Sequence, residues 1–133
     1  MKLYTSQMGN GKWIPEKLGI PVLDVTVKSG DKTFSPLWGF LNEYKSSDWG
    51  KEAQERYTKK FITQMRLTFI ENNARWREVL EMDSVCIMCY CPKNRFCHRL
   101  ILIGLFEKQC KRWGIPFSYE GEITKEGIIN KAA

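Results

Sequence analysis

The sequence predicts an α/β fold: a single compact three-layer domain in which helices cover both faces of a parallel or mixed sheet. A chain of 133 residues with 43% apolar and 27% charged residues fits one globular domain. Residues 85–91 are a nearly continuous apolar run of strand length, residues 97–113 follow a helical pattern, and residues 115–119 again favour a strand. This order is a βαβ unit, which implies parallel strands with helices packed on them.

The elements before this unit follow from local patterns. Residues 2–5 form a first strand, and residues 20–27, rich in β-branched side chains, form a second strand closed by a turn at 29–31. A helix is predicted within residues 36–44. A long amphipathic helix begins at Lys51, with Tyr57, Phe61, Met65 and Phe69 at every fourth position. The chain is then interrupted at residues 72–73 and continues helical over 74–81. The whole chain, 1–133, is one domain whose tail from about Glu122 is loosely held.

Composition points to a cytoplasmic protein without a membrane partner. No apolar run approaches the roughly 20 residues that span a bilayer, and the N-terminal residues lack the pattern of a signal peptide. Five cysteines, four of them within residues 86–97, indicate reduced thiols. The net charge of +6 favours anionic partners, although the basic residues are dispersed. The oligomeric state stays open.

The turn from Cys89 to Arg99 is the predicted functional site. Ligands of open α/β sheets bind beyond the carboxyl ends of the strands, where the start of the next helix attracts anions and favours a thiolate. The one histidine of the chain, His98, falls in this segment. The guanidinium groups of Arg95 and Arg99 suit carboxylate or phosphate.

Roles follow from these residue types. Cys97 or Cys89 is the predicted nucleophile, His98 handles protons, and Asp24 is an additional acid/base or a partner of a ribose hydroxyl. The predicted ligand-binding residues come from the first two strands, the turn and aromatic positions: Thr5, Ser6, Thr26, Lys28, Trp38, Tyr90, Cys91, Arg95 and Arg99.

Other interpretations of the cysteines stay open. Cys86 and Cys110 fit a buried core. No cofactor is predicted, but Cys89, Cys91, Cys97 and His98 are an alternative ligand set for zinc or an iron–sulfur centre. The spacing from Cys89 to Arg95 matches that of tyrosine phosphatases by count. Because the loop has no glycine and a proline at position 92, we treat that match as chance.

One family shares these motifs. The segment 89–100, with a cysteine after an apolar strand and the Cys97-His98-Arg99 triplet opening a helix, resembles the family called domain of unknown function 488. Residues 23–30 and 34–38 and the helix bearing Tyr57 resemble the version found in phage and bacterial proteins, so the similarity spans roughly residues 3–119. The resemblance implies a three-layer α/β fold with Cys89, Cys97, His98 and Arg99 lining a pocket. Many relatives carry an acid where this chain has Cys91.

The resulting hypothesis is a hydrolase or transferase, or an enzyme-derived binder, that acts on a nucleotide, nucleoside or modified base. The anion-attracting helix start, the basic charge and the aromatic residues favour it. The alternative is a non-catalytic phage-type protein that binds nucleic acid or a host protein through the basic helix over residues 51–72.

Overall fold

The central strand of the sheet is β1 (Lys2–Gln7), which pairs on both sides with parallel neighbours. The computed structural model describes residues 1–7, 9, 13–48, 50–89 and 98–129. Within them the sheet has the order β2-β3-β1-β4-β5. The other strands are β2 (Val22–Asp24), β3 (Ser84–Cys89), β4 (Ser118–Thr124) and β5 (Gly127–Ile129). β5 alone runs antiparallel to its neighbour, β4, so the sheet is mixed.

Helices pack on both faces of this sheet. The helices of the described chain are α1 (Trp13–Lys17), α2 (Trp38–Lys45), α3 (Lys51–Glu71), α4 (Asn73–Leu80) and α5 (His98–Trp113). Side chains of α2 to α5 bury the face that carries Leu3, Val85 and Ile87. Ile14 of α1 packs on the opposite face, against Cys86 and Met88. The predicted α/β fold with a mixed sheet and helices on both faces is confirmed.

The amphipathic helix is correctly predicted from its period. Tyr57, Phe61 and Met65 are buried along one side of α3, while the charged residues lie on the exposed side. The helix ends at Glu71, and the side-chain amide of Asn72 donates a hydrogen bond of 2.9 Å to Thr33. No helix of the described residues is long and apolar enough to cross a bilayer.

Two predicted strands have different bounds in the structure. β2 covers three residues, because after Asp24 the chain folds into a turn in which the Gly30 and Asp31 amides bond the carbonyls of Thr26 and Asp24. The last parallel strand covers Ser118–Thr124, whereas we predicted it over residues 115–119. The predicted strand therefore starts and ends too early in the chain. Ile115 instead closes α5: its amide bonds the carbonyl of Cys110, five residues back, and Gly114 has a left-handed φ of 70°.

The chain from Glu122 differs from the loose tail that we predicted. Glu122 and Thr124 belong to β4, where their side chains are buried, and β5 pairs back on them. The weak strand propensity of Glu120, Gly121 and Glu122 conceals this strand in the sequence. Pairing with β1 fixes it nevertheless, since backbone hydrogen bonds form without regard to side-chain type.

Candidate active site

A buried arginine reaches a cysteine at the carboxyl end of the sheet. Cys89 is the last residue of β3, and Arg99 lies in the first turn of α5, which follows that strand in the chain. Nη1 of Arg99 donates a hydrogen bond of 3.0 Å to Sγ of Cys89. Both side chains are only 1% exposed. The structure thus brings together two of the residues that the sequence predicts for this site.

The same guanidinium also contacts a carboxylate of β4. Nη2 of Arg99 lies 3.5 Å from Oε2 of Glu122, a buried residue. Oε1 of Glu122 accepts a hydrogen bond from the Thr5 hydroxyl, which is also 2.6 Å from the hydroxyl of Tyr119. Thr5 is therefore engaged within the protein. The carboxylate supplies the opposite charge that a buried guanidinium requires.

His98 fixes the start of α5 to the chain that follows β2. Its Nε2 lies 2.7 Å from the carbonyl oxygen of Val25, and its ring meets Phe61 edge-on at 5.6 Å. Because a carbonyl only accepts, Nε2 carries the proton in this bond. Burial lowers the pKa of His98, opposed in part by attraction to Cys89 and by the Val25 hydrogen bond. The imidazole is therefore neutral at neutral pH, with its lone pair on Nδ1.

Asp24 shapes the loop beside this contact. One carboxylate oxygen accepts the Thr26 amide at 2.9 Å, and the other accepts the Ser29 hydroxyl at 2.8 Å. The Thr26 hydroxyl lies 2.9 Å from that of Ser29. These bonds give Asp24 and Thr26 a part in holding the loop next to Val25, the residue that His98 binds.

The remaining predicted site residues are dispersed. Ser6 is buried on the opposite face of the sheet, where its hydroxyl donates to the Ile123 carbonyl. Lys28 is exposed in the turn after β2. Trp38 is exposed at the start of α2, with the Lys45 ammonium 5.7 Å from its ring. The predictions for Tyr90, Cys91, Arg95 and Cys97 fall outside the described residues.

The two cysteines of β3 lie in different environments. Cys86 points to the opposite face from Cys89, as the alternation of a strand requires. Burial, with a contribution from Glu122, raises the pKa of Cys86 to about 12, so this side chain stays a thiol. Among the described residues, no group of three cysteine, histidine or acidic side chains is placed to hold a metal. Two of the alternative metal ligands, Cys91 and Cys97, fall outside those residues.

A protein-family model matches most of the chain and identifies its family. The model of the active DUF488-N3 subclade matches residues 22–110. The chain belongs to the DUF488 family. No curated protein and no solved structure matches the chain. The matched segment of this DUF488 protein contains Cys89, His98 and Arg99 and is shorter than the resemblance over residues 3–119.

Two residues of the site escaped the sequence analysis. Glu122 and Tyr119 reach Arg99 and Thr5 from β4, which lies beyond the segment that the DUF488 model matches. Glu122 follows Arg99 by 23 residues, and nothing in the local sequence ties the two together. The sequence offered no signal for Glu122, because its burial follows from the pairing of β4 with β1.

Proposed function

We propose that this protein is an enzyme that uses Cys89 as a nucleophile on a small anionic or nucleotide-like substrate: a nucleotide, nucleoside or modified base. The observation that carries the proposal is the 3.0 Å hydrogen bond from Arg99 to the sulfur of Cys89 in a buried setting. A cation beside a cysteine sulfur stabilises the thiolate, which is the reactive form. Cys86, three residues earlier, lies on the other sheet face and stays a thiol.

The proposed step is a displacement by sulfur. The Cys89 thiolate attacks an electrophilic carbon or phosphorus of the substrate, a bond to sulfur forms, and the bond to the leaving group breaks with its electron pair going to that group. Water or a second acceptor then displaces the sulfur and restores the thiolate, which makes the reaction a hydrolysis or a transfer. In this proposal the neutral His98 accepts the proton that the attacking water or acceptor loses in the second step, and passes it to the leaving group.

Two further features support an anionic substrate. The site lies at the carboxyl ends of β1 and β3, next to the start of α5, a helix of 16 residues. The partial positive charge of such a helix start favours anions. The net charge of +6 adds to this attraction. The description of the matching family model as an active subclade is in keeping with catalysis.

The alternative, a protein that binds nucleic acid through α3, receives less support. A surface groove of about 310 Å³ runs along α3 and is lined by Leu37, Lys59, Lys60, Thr63, Gln64 and Leu67. However, Glu43 pairs with Lys60 at 2.7 Å and with Arg56 at 3.8 Å. These pairs reduce the positive charge that phosphates would meet on this face.

The test is a ligand screen followed by covalent capture. The purified, reduced protein is heated with nucleotides, nucleosides, sugar phosphates and modified bases, and stabilising compounds are incubated with it for intact-mass measurement. We expect one ligand class to raise the melting temperature and to leave an adduct on Cys89, since a ligand that binds only the folded state stabilises it. Arg99→Lys keeps the charge but loses the fork geometry, and we expect it to abolish the adduct.

Cys86→Ser is the matched control, because it changes another buried cysteine of the same strand on the opposite face. It should keep both the stabilisation and the adduct, whereas Cys89→Ser should lose the adduct. Full turnover of the stabilising ligand by Cys89→Ser would remove Cys89 from the mechanism.

A further inference from the structure

We propose that Glu122, Thr5 and Tyr119 are positioning residues that hold the Arg99 guanidinium in place against Cys89. They act on the nucleophile through Arg99. The inference rests on the proposed function, because it takes Cys89 as the nucleophile. Thr5, Tyr119 and Glu122 all lie outside the segment matched by the family model.

Burial of the charged pair argues for a role other than stability. The side chains of Arg99 and Glu122 are 1% and 5% exposed. Desolvation of two charges costs several kcal/mol per ion, and apolar residues of similar volume often give a fold at least as stable. A pair retained at this cost is explained if the guanidinium has a task, and it donates a hydrogen bond to the sulfur of Cys89.

The hydrogen bonds of the network run in one direction. A threonine hydroxyl has a single proton, and that of Thr5 is donated to the carboxylate of Glu122. The proton in the 2.6 Å contact between Thr5 and Tyr119 must then come from Tyr119. Burial raises the pKa of Tyr119, which keeps the phenol protonated and able to donate. Tyr119 thus donates to Thr5, and Thr5 donates to Glu122. These two hydrogen bonds fix the carboxylate that Arg99 faces.

The shape of the guanidinium carries this constraint to the sulfur. Its nitrogen atoms are rigidly coplanar, so a carboxylate that holds Nη2 also sets the direction of Nη1. Nη1 is the donor to Cys89 at 3.0 Å.

An irregularity in β4 makes the network geometrically feasible. Residues 119 and 122 of a regular strand would lie on opposite faces of the sheet, because they are an odd number apart. Leu3 of β1 pairs with Tyr119 of β4, but the next residue, Tyr4, pairs with Gly121. Glu120 is therefore an extra residue that bulges out of β4. Gly121 has a φ of 123°, which side chains rarely adopt. The bulge returns Glu122 to the face of Tyr119 and sets it opposite Thr5.

The test measures the ionisation of Cys89 directly. The ultraviolet absorbance of the thiolate is titrated against pH in the folded full chain, and the same titration of Cys89→Ser is subtracted to isolate Cys89. The charged and titratable groups of this network and its surroundings in the described structure are Arg99 and His98 from α5, Glu122 and Tyr119 from β4, and Cys86, which stays a thiol, from β3. Thr5→Val and Tyr119→Phe change none of these charges below the titration of the phenol.

We expect both neutral variants to move the Cys89 midpoint upward by at least about half a pH unit, a roughly threefold loss of thiolate below the midpoint. Thr124→Val is the matched control, since it removes a buried hydroxyl of β4 that bonds the Gly127 carbonyl in the β4–β5 hairpin. It should leave the midpoint unchanged. Circular dichroism at each pH verifies that the variants are folded.

Glu122→Gln separates positioning from simple proximity. A carboxylate that acted only as a nearby negative charge would disfavour the thiolate, and its removal would lower the Cys89 midpoint. A positioning carboxylate gives the opposite sign, because the guanidinium loses its alignment. An unchanged midpoint in Thr5→Val and Tyr119→Phe, or a lowered one in Glu122→Gln, overturns the inference while the proposed function stands. A wild-type midpoint at or above the ordinary thiol value of about 8.5 overturns both.

Discussion

Burial gives the ionisable side chains near the site fixed protonation states. Cys86 stays a thiol and Tyr119 a phenol because burial raises the pKa of each. Burial acts in the opposite sense on His98, where it disfavours the charged imidazolium. The guanidinium of Arg99 is permanently charged, and the carboxylate of Glu122 lies 3.5 Å away as its counterion. Each residue therefore enters any reaction in one defined form, which is a requirement of proton transfer in a fixed direction.

The lowered pKa of His98 predicts a pH-dependent stability. The unfolded imidazole titrates near its ordinary value of 6.5, and the folded one at lower pH. The folded state thus binds fewer protons, so the stabilisation is fully present above pH 6.5 and is lost as the pH falls below it. We expect the free energy of unfolding in urea to decrease between pH 7 and pH 5, by at most about 1.4 kcal/mol per pH unit.

His98→Gln provides the control, because the chain has no other histidine. The variant should show a nearly flat dependence over the same range. Asp31 does not interfere: burial opposes its ionisation, but bonds from Thr33 and Arg75 outweigh this and lower its pKa from 3.8, so its contribution is lost only at more acidic pH. An equal slope in wild type and variant would contradict the assignment to His98.

At the level of single residues, the sequence identified the part of the site that is local in the chain. Cys89 and Arg99 lie on one strand–turn–helix segment, where the position of a residue predicts where its side chain emerges. Glu122 joins them through the pairing of β4 with β1, which depends on the whole sheet. The buried positions predicted for Cys86 and Cys110 are confirmed.

At the scale of elements, the loop over residues 24–31 holds His98 beside the carboxyl ends of the strands. Asp24 closes the loop through Thr26 and Ser29, and the Val25 amide bonds the Met88 carbonyl at 3.0 Å. In this loop the backbone of residue 30 lies close to the backbone of Thr26. A Cβ added to Gly30 would lie 2.3 Å from the Thr26 carbonyl oxygen and 2.5 Å from its nitrogen.

Gly30→Ala should therefore destabilise the protein. Real Cβ atoms essentially never approach backbone atoms this closely, so the loop must shift. We expect a loss of about 1–3 kcal/mol in the free energy of unfolding, the cost of forcing an extra carbon into a packed site. Gly39→Ala in α2, where a Cβ meets nothing within 4 Å, should instead be neutral or stabilise by up to about 1 kcal/mol. Equal stability of the two variants in urea unfolding would contradict this account.

Elements were predictable where a period or a run of one residue type dominates. The spacing of Tyr57, Phe61 and Met65 and the apolar run of β3 identified α3 and β3. β4 was located too early because Ile115 and Phe117 have strong strand propensity, whereas the closing turn of α5 uses Ile115. The strand order was not predictable, since β1 enters between β3 and β4 by long-range pairing alone.

For the whole molecule, net charge and local chemistry predict different salt responses. A net charge of +6 attracts any polyanion, and the affinity of such binding falls steeply as the salt concentration rises. Recognition of a single anionic group by a buried site involves few phosphates. The two modes therefore differ in how the affinity changes with ionic strength, independently of how tight either one is.

We expect a nucleotide that stabilises the protein in the screen to bind with a shallow dependence on salt. Each phosphate contact contributes a slope of about −0.7 in the logarithm of affinity against the logarithm of salt for a single strand. A site that reads one phosphate should keep that slope when the nucleotide is extended to a short oligonucleotide, because the added phosphates find no partners. Binding measured by fluorescence anisotropy over a range of salt concentrations tests this.

Two variants distinguish the two modes. Lys59→Gln changes an exposed residue of the α3 groove and should leave the slope unchanged, whereas Arg99→Lys should weaken binding at every salt concentration. A slope that steepens with oligonucleotide length and falls in Lys59→Gln would instead assign the ligand to the face of α3 and make the protein a nucleic-acid binder.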